Sequence, residues 1–256
     1  MALEPVNETV VPQKGGGRDV HETAQVLAEH IQQGKHAVPE IPAPLVCKPN
    51  NLESWRVFKI MSEFVEGFEL LSKYGLAASF FGSTRTDMND PLYKEAQELA
   101  GRLAKAGFSI ITGGSAGIMQ AANQGAHEVG GSSVGLNIRL DADQGANKFL
   151  TDYIRFDHFF VRKVMLTFSS EVYIYFPGGF GTLDEFFEIL TLVQTKKIKR
   201  IPIVIYGKEY WEPLLAFFES KMIKDHVMID ESDKELYKLV DSVDEAYEYI
   251  TKTVIC

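Results

Sequence analysis

The stretch EVYIYFPGGFGTLDEFFEILTLVQ, residues 171–194, decides the fold. Its apolar start at 171–176 is typical of a buried strand, and the apolar spacing over 181–194 predicts a helix. Only a short glycine-rich turn, Pro177-Gly178-Gly179-Phe180, separates the two. A strand that passes through such a turn directly into a helix is the repeating unit of a parallel α/β sheet.

The same alternation continues outward in both directions from this stretch. Strands are predicted near 76–81, 108–112, 132–138, 171–176 and 201–205, with a weaker one near 153–157. Helices are predicted over 52–74 and near 91–106, 116–129, 159–169, 181–194 and 208–221, with two short ones after residue 231. Right-handed crossovers then place helices on both faces of the sheet. The predicted fold class is α/β: a Rossmann-like, doubly wound, mainly parallel sheet flanked by helices.

The first fifty residues differ from the rest of the chain. They contain the run Gly15-Gly16-Gly17 and more than half of the ten prolines, and their apolar periodicity is weak. Such a segment has too little apolar surface to offset the entropy of ordering it. We therefore predict a loosely ordered arm over 1–50 and a single Rossmann-like domain over 51–256. The aromatic side chains of this domain mostly follow core periodicity, and we interpret them as packing.

The composition narrows the class of partner. The formal net charge is −9, which argues against a nucleic-acid or membrane-surface binder, because those proteins usually present a basic face. Cys47 and Cys256 stand alone, so neither a disulfide framework nor a cysteine-ligated zinc site is expected. The six histidines show no metal-ligand spacing, and we expect neither a metal nor a cofactor. Without a secretory signal or an apolar run of about 20 residues, the cytoplasm is the predicted location.

Four predicted strand exits carry unusual loops. They are Gly82-Ser83-Thr84-Arg85, Thr112-Gly113-Gly114-Ser115-Ala116-Gly117-Ile118-Met119, Asn137-Ile138-Arg139, and Pro177 through Glu185. Two of these loops are rich in glycine and open a helix, where unpaired amides and the helix dipole favour an anion. Neither loop has the G-x-G-x-x-G spacing, and the chain has no GxxxxGK[ST] motif. The loops predict either a phosphate or ribose site or merely tight strand-to-helix turns, and their occurrence in one sheet favours the site.

Two polar pairs admit a structural and a functional interpretation. Thr182 and Glu185 match the S/T-x-x-E capping box, in which Glu185 only caps the helix, and their spacing alone favours that interpretation. Alternatively, Glu185 faces a ligand. Arg162 and Lys163 begin an otherwise apolar helix, and the spacing slightly favours one or both snorkelling into solvent.

The segment from Pro177 to Glu185 resembles the PGGxGTxxE motif of the Lonely Guy family. The Gly82-Ser83 exit, the Gly113–Met119 loop and the Arg162-Lys163 pair resemble the family too, so the resemblance extends over about 76–205. Asp184 stands where the family often has Glu. The segment 138–144 departs from the plant pattern and looks more like bacterial relatives. The members are phosphoribohydrolases of cytokinin riboside 5'-monophosphates, and some act on ordinary nucleoside monophosphates.

The resemblance implies a role for individual residues. Arg162 and Glu185 match the family's catalytic arginine and glutamate. The other residues that the resemblance and the strand exits together assign to substrate or phosphate binding are Gly178, Gly179, Phe180, Gly181, Thr182, Lys163, Asp184, Thr191, Ser83, Gly114, Ser115 and Asn137. It further implies a homodimer or a larger homo-oligomer.

The expected activity is cleavage of the N-glycosidic bond of a nucleoside 5'-monophosphate. The substrate would be a cytokinin riboside monophosphate or an AMP-like nucleotide, and the products a free base and ribose 5-phosphate. The alternative is a binding protein similar to molybdenum-cofactor carriers, which hold a phosphorylated ligand without cleaving it. No pyridoxal-phosphate lysine motif is present, so decarboxylation of lysine is not expected.

Overall fold

The computed structural model describes residues 54–139 and 145–254, and within them the chain alternates between strands and helices. The strands are β1 (Ala77–Phe81), β2 (Ser109–Thr112), β3 (Ser133–Ile138), β4 (Asp152–Phe156), β5 (Val172–Tyr175), β6 (Ile203–Tyr206) and β7 (Lys238–Val240). The helices are α1 (Trp55–Leu71), α2 (Pro91–Lys105), α3 (Ile118–Glu128), α4 (Phe159–Thr167), α5 (Phe180–Gln194), α6 (Lys208–Phe217) and α7 (Val243–Thr253). The predicted arm over 1–50 lies outside the described residues, as does most of the 138–144 segment.

The strands form one parallel sheet in the order β4-β3-β2-β1-β5-β6-β7. Strands β1, β5 and β6 are buried along their whole length, which explains why they appear in the sequence as continuous apolar runs. In the centre, Phe80 of β1 pairs with Thr112 of β2 on one side and Ile174 of β5 on the other. The predicted α/β, doubly wound class is confirmed.

The strand order reverses between β1 and β5. The chain first proceeds outward from β1 to β4 and then returns to the other side of β1 as β5. In such sheets the loops diverge at the reversal and leave a crevice beyond the carboxyl ends of the two strands. The amide of Ser83, just after β1, donates to the carbonyl of Pro177, just after β5, at 3.0 Å. This contact fixes the two loops at the bottom of the crevice.

Each face of the sheet carries its own apolar core. Helices α2, α3 and α7 cover one face, and buried side chains such as Leu99, Ala122 and Ile250 pack there. Helices α1, α4, α5 and α6 cover the other face, with Met165 and Phe186 among the buried residues. Helices α4 and α5, which carry Arg162 and Glu185, therefore lie on the same side of the sheet.

Most predicted elements agree with the structure to within about two residues. Helix α1 begins three residues after the start of the predicted 52–74 helix and ends three residues before its end, and the other exceptions lie after β6. Helix α6 ends at Phe217 rather than near 221, and a π-helix, Phe218–Asp225, continues it. Strand β7 was not predicted, because three residues at the edge of the sheet give too short a pattern. No helix within 54–139 and 145–254 is both long and apolar enough to span a bilayer.

Helices α2 and α3 approach each other closely at two glycines. A Cβ atom built on Gly125 of α3 would lie 2.0 Å from the backbone oxygen of Gln97 on α2. One on Gly101 of α2 would lie 3.1 Å from the backbone oxygen of Gly125. The two helices thus cross backbone against backbone, and a side chain at position 125 has no rotamer that avoids the contact.

We expect Gly125→Ala to lower the free energy of unfolding by about 1–3 kcal/mol, because the helices must separate to admit the methyl group. This loss would outweigh the gain of about 1 kcal/mol in helix propensity. The measurement is urea unfolding, and the matched control is Gly75→Ala, whose Cβ would meet no atom within 4 Å. An unchanged midpoint for Gly125→Ala would contradict the close crossing.

Candidate functional site

The turn after β5 presents the start of α5. The helix begins at Phe180 with Gly179 as its N-cap residue, and no side chain caps it. The amides of Phe180, Gly181 and Thr182 donate to no acceptor among the described residues. Three unpartnered amides at the positive end of a helix dipole form a site suited to an anion.

The capping-box interpretation of Thr182 and Glu185 is wrong. Thr182 is the third residue of α5 and not its cap, because the helix already begins at Phe180. Its side chain is buried over the turn: a Cβ on Gly178 would lie 2.1 Å from the Thr182 hydroxyl oxygen. Glu185 is therefore well inside the helix and has no capping role.

An open cleft of about 780 Å³ lies at the reversal of strand order. It is lined by Ser83, Thr84, Arg85, Thr86, Pro177, Gly178, Gly179, Phe180, Leu183 and Tyr210. The Tyr210 hydroxyl donates to the Gly178 carbonyl at 2.6 Å and so ties α6 to the turn. Phe180 is 92% exposed at the rim, an unusual position for a large apolar side chain. No sequence pattern indicates Tyr210, which lies 32 residues further along the chain than Gly178.

The loop between β2 and α3 passes close to the exit of β1. Gly117 has a φ of +66°, and a Cβ there would lie 2.1 Å from the Ser83 carbonyl oxygen. That carbonyl accepts from the Ile118 amide at 3.0 Å. Only glycine permits both this backbone conformation and this approach. The loop is thus held against the floor of the cleft.

A buried polar network shapes the same loop from below. The Thr112 hydroxyl accepts from the Gly114 amide at 2.8 Å and donates to the Asn123 side-chain oxygen at 2.7 Å. The Asn147 side chain donates to that oxygen at 2.9 Å and to the Ser115 carbonyl at 3.1 Å. Asn123 and Asn147 escaped the sequence analysis, since isolated asparagines have no pattern. The network holds Gly114 and Ser115 in a fixed conformation.

Arg162 reaches from α4 to the exits of β2 and β3. Its Nε donates to the Leu136 carbonyl at 2.6 Å, and a Cβ on Gly113 would lie 2.3 Å from its Nη2. Burial lowers the pKa of the guanidinium, and the nearby Glu185 carboxylate opposes that shift. An arginine keeps its proton at any ordinary pH, so the site contains a fixed, half-buried positive charge.

Asn137 lies beside this arginine at the end of β3. Its side-chain amide donates to the Gly114 carbonyl at 3.3 Å. Its side-chain oxygen is buried and accepts from no donor in the part of the chain that the structure describes. A buried acceptor without a partner lowers the stability of the fold, and this identifies Asn137 as a candidate binding residue.

Glu185 faces Arg162 from α5. Burial raises the pKa of its carboxyl group to about 7, and the positive charges of Lys163 and Arg162 reduce that rise. Glu188 and Asp184 add to the rise. Arg162 and Glu185 interact electrostatically, although no pair of their nitrogen and oxygen atoms comes within 4.0 Å among the ion pairs of the described residues. The gap leaves the carboxylate without a direct cationic partner.

Lys163 completes this charged cluster. Its ammonium group forms ion pairs with Asp184 at 2.7 Å and Glu188 at 3.3 Å. The snorkelling interpretation of Arg162 and Lys163 is wrong, because one side chain is held at the strand exits and the other by two carboxylates. Glu188 was missed in the sequence, although it lies one helical turn after Glu185.

Helix α5 separates the cleft from the charged cluster. Phe180 and Leu183 contribute to the cleft lining, whereas Asp184, Glu185 and Glu188 face α4. Among the residues that line the cleft, neither Arg162 nor Glu185 occurs. The start of α5, with its unpartnered amides, borders the cleft at Gly179 and Phe180.

The structure brings most of the predicted site residues to the same edge of the sheet. Ser83, Gly178, Gly179 and Phe180 line the cleft; Gly181 and Thr182 begin α5; Gly114, Ser115 and Asn137 lie at the β2 and β3 exits; Arg162, Lys163, Asp184 and Glu185 form the charged cluster. Thr191 is apart from them and lines a separate cavity of about 90 Å³ with Phe187 and Phe218. Within 54–139 and 145–254, no group of three or more His, Cys, Asp or Glu side chains is arranged to hold a metal ion.

Two groups of known proteins are similar to this chain. In the first, a cytokinin riboside 5'-monophosphate phosphoribohydrolase of Arabidopsis thaliana is 28% identical over 196 residues, covering 72% of this chain and 83% of its own length. One of Rhodococcoides fascians is 27% identical over 139 residues, covering 53% and 70%. The second group consists of solved structures. A molybdenum cofactor carrier protein of Chlamydomonas reinhardtii has a TM-score of 0.52 at 21% identity, covering 70% of this chain and 97% of its own, a likeness of fold alone.

A family model described as "possible lysine decarboxylase" matches residues 119–250, which is more than half of the chain. That range includes the charged cluster, the glycine turn and α5. The chain therefore belongs to the Lonely Guy family, as the motif from Pro177 to Glu185 predicted.

Proposed function

We propose that the protein hydrolyses the N-glycosidic bond of a nucleoside 5'-monophosphate and releases a free base and ribose 5-phosphate. The observation that carries the proposal is Glu185, a partly buried carboxyl group with a pKa raised to about 7, beside the guanidinium of Arg162. Glu185 lies on α5, the helix whose first amides are unpartnered. The relatives named as phosphoribohydrolases support the same activity.

The 5'-phosphate binds, in this proposal, to the start of α5. The amides of Phe180, Gly181 and Thr182 are free to donate to its oxygens, and the helix dipole favours its charge. Arg85 lines the adjoining cleft and adds a positive charge. A few local donors are sufficient even in a chain with a net charge of −9, because screening confines the unfavourable field of distant charges to about 10 Å.

The chemistry assigns different tasks to the two charged side chains. As the bond between C1' and the base nitrogen breaks, its electrons go to the base, which takes up a proton, and the ribosyl centre gains oxocarbenium character. Water attacks C1', and Glu185 takes a proton from that water and releases it to the solvent, from which the departing base takes up its own proton. A carboxyl group with a pKa near 7 is partly ionised at neutral pH and suits this role. Arg162 stays protonated and orients the carboxylate or the ribose.

The proposed substrate class is an AMP-like nucleotide or a cytokinin riboside monophosphate, and the reaction requires no metal or cofactor. A homodimer or larger homo-oligomer is part of the proposal, and so are the binding roles of Lys163, Asp184 and Thr191. Decarboxylation of lysine is not proposed. The cytoplasm stays the predicted location.

One observation favours a second candidate, a protein that binds a phosphorylated ligand without cleaving it. The cleft of about 780 Å³ is lined by neither Arg162 nor Glu185. A carrier needs the cleft and the helix start but not a carboxyl group with a raised pKa. Incubation with AMP distinguishes the two: recovery of bound AMP without ribose 5-phosphate would favour the carrier.

We expect Glu185→Gln and Arg162→Ala each to lower kcat for base release by about 10²–10⁴-fold, because each removes a group that acts on the transition state. The assay follows free base from AMP and from isopentenyladenosine monophosphate. Glu212→Gln, an exposed carboxylate on α6, is the matched control and should retain full activity. Full activity in Glu185→Gln would remove the assigned role.

Gly113→Ala tests the position of Arg162 without altering its charge. The new methyl group would lie 2.3 Å from Nη2, so the guanidinium must move. Because misplacement of a catalytic group by about 1 Å can cost about 100-fold, we expect kcat to fall by that order. Gly75→Ala serves as the control. If Gly113→Ala retains wild-type kcat, the exact placement of the guanidinium has no catalytic importance.

The raised pKa of Glu185 makes a further prediction about stability. Its ordinary pKa of 4.5 applies to the unfolded chain and about 7 to the folded one. Below pH 4.5 the group is protonated in both states, and its contribution to stability is fully present; that contribution is lost as the pH rises through 7. The 2.5-unit difference corresponds to at most about 3 kcal/mol.

We therefore expect Glu185→Gln to unfold at higher urea concentration than the wild type at pH 8, with the difference vanishing near pH 4. Glu212→Gln should show no such pH-dependent gain. Carbon NMR of the Glu185 carboxyl group gives the pKa directly, and Lys163→Met should raise it further because Lys163 lowers it. A measured value near 4.5 would contradict the burial of this carboxyl group.

A further inference from the structure

Glu63 is a buried carboxylate of α1 whose two oxygens bind the same residue. It is 7% exposed, and no lysine or arginine among the described residues forms an ion pair with it. One oxygen contacts Nδ1 of His158 at 2.9 Å, and the other accepts from the His158 backbone amide at 3.2 Å. Because a carboxylate only accepts hydrogen bonds, Nδ1 carries the proton of the first contact. Glu63 thus fixes both the main chain and the ring of His158.

His158 is the residue from which α4 starts. It is the N-cap of that helix, and its own side chain caps no amide of the first turn. Its carbonyl accepts from the Arg162 amide at 3.2 Å and so closes this turn. Two hydrogen bonds in series therefore connect Glu63 to the main chain of Arg162, one through the His158 amide and one through its carbonyl.

The same side of α1 holds α4 at further points. Lys59, Glu63 and Gly67 follow one another at intervals of four residues, which places them on one side of the helix. Lys59 forms an ion pair with Asp157, just before α4. A Cβ on Gly67 would lie 2.5 Å from the sulfur of Met165, near the end of α4. Helix α1 thus contacts the chain before α4, at its start and near its end.

The side chain of Arg162 has little freedom to compensate for a shift of α4. Its Nε donates to the Leu136 carbonyl at 2.6 Å, and a Cβ on Gly113 would lie 2.3 Å from Nη2. The guanidinium is therefore held between two strand exits while its main chain is held from α1. A movement of the first turn of α4 has to change the hydrogen bond to Leu136 or the direction of the guanidinium.

Stability alone does not explain a glutamate at position 63. Burial removes the water that a carboxylate binds, and two hydrogen bonds to one residue compensate that loss only in part. A leucine side chain of similar size would fill the same place without burying a charge. An acceptor for two donors of His158, by contrast, is what orientation of the first turn of α4 requires.

We propose that Glu63 is a positioning residue for Arg162 and that it acts through His158 and the first turn of α4. The inference rests on the proposed function, in which Arg162 orients the catalytic carboxylate or the ribose. The phosphate donors of that proposal lie on α5 and not on α4. Loss of the Glu63 contacts should therefore affect kcat more than KM.

The first test measures release of free base from AMP by the full chain. We expect Glu63→Leu to lower kcat by about 10–100-fold, because a displacement of Arg162 by up to about 1 Å misplaces a catalytic group. KM should stay within about threefold of the wild-type value. Glu63→Gln should keep kcat within about threefold, since its amide can accept from the His158 backbone and donate to Nδ1 of the other tautomer.

Two variants on the same helix separate positioning from stability and from charge. Leu70→Ala removes a buried apolar side chain about two turns from Glu63, so it should lower the urea midpoint but keep kcat per folded molecule. Glu66→Gln removes an exposed negative charge and should behave as the wild type. A loss of kcat in Leu70→Ala as large as that in Glu63→Leu would overturn the proposal.

A double-mutant cycle tests whether Glu63 acts through Arg162. In the Arg162→Ala background we expect Glu63→Leu to lower kcat by no more than about twofold, because the group that it positions is already absent. If Glu63 acts by another route, the two losses multiply. A multiplied loss would overturn the proposal, as would a wild-type kcat in the single variant Glu63→Leu.

The last experiment is independent of the reaction. Nitrogen-15 NMR follows the Arg162 Nε–H, which is assigned by its absence from the spectrum of Arg162→Ala, and its exchange with solvent is measured without substrate. We expect exchange about tenfold faster or more in Glu63→Leu, because the hydrogen bond to Leu136 loosens, and no change in Glu66→Gln. A wild type that cleaves no nucleotide would remove the proposed function. Equal exchange rates in Glu63→Leu and the wild type would instead remove the positioning role of Glu63.

Discussion

The site depends on backbone-to-backbone contact among loops that follow β1, β2 and β5. The carbonyl of Ser83 accepts from Ile118, and the Ser83 amide donates to Pro177, so three strand exits meet at one residue. A side chain at Gly117 would collide with that carbonyl. The close contact at Gly117 determines how the start of α5 lies relative to the loop that follows β2. Each functional side chain of the site lies on the loop or helix that follows a strand exit, and that loop or helix fixes its position.

The charged cluster costs stability at neutral pH. Burial opposes both the positive charge of Arg162 and the negative charge of Glu185, and the two side chains do not form the close ion pair that would compensate it. Lys163 could neutralise Glu185 directly, but Asp184 and Glu188 hold it instead. A fold selected only for stability would replace this arrangement by apolar residues. Its presence at the edge of the sheet is best explained by the reaction that we propose.

The sequence predicts what depends on local pattern. The apolar run at 171–176, the glycine turn and the motif from Pro177 to Glu185 identify the fold, the family and the helix start. The capping-box interpretation failed because the pattern does not reveal that the helix already begins at Phe180, two residues before Thr182. Tyr210, Asn123 and Asn147 could not be found, since they reach the site through tertiary contacts alone.

The same limit explains the misinterpretation of the aromatic residues of α1. A core and a subunit interface both select apolar side chains at helical spacing, so a periodic pattern predicts burial without naming the molecule that provides it. The structure resolves this ambiguity through Glu63 and Gly67, which identify the face that packs against α4. The remaining apolar face, with Phe58 and Val65, is exposed among the described residues.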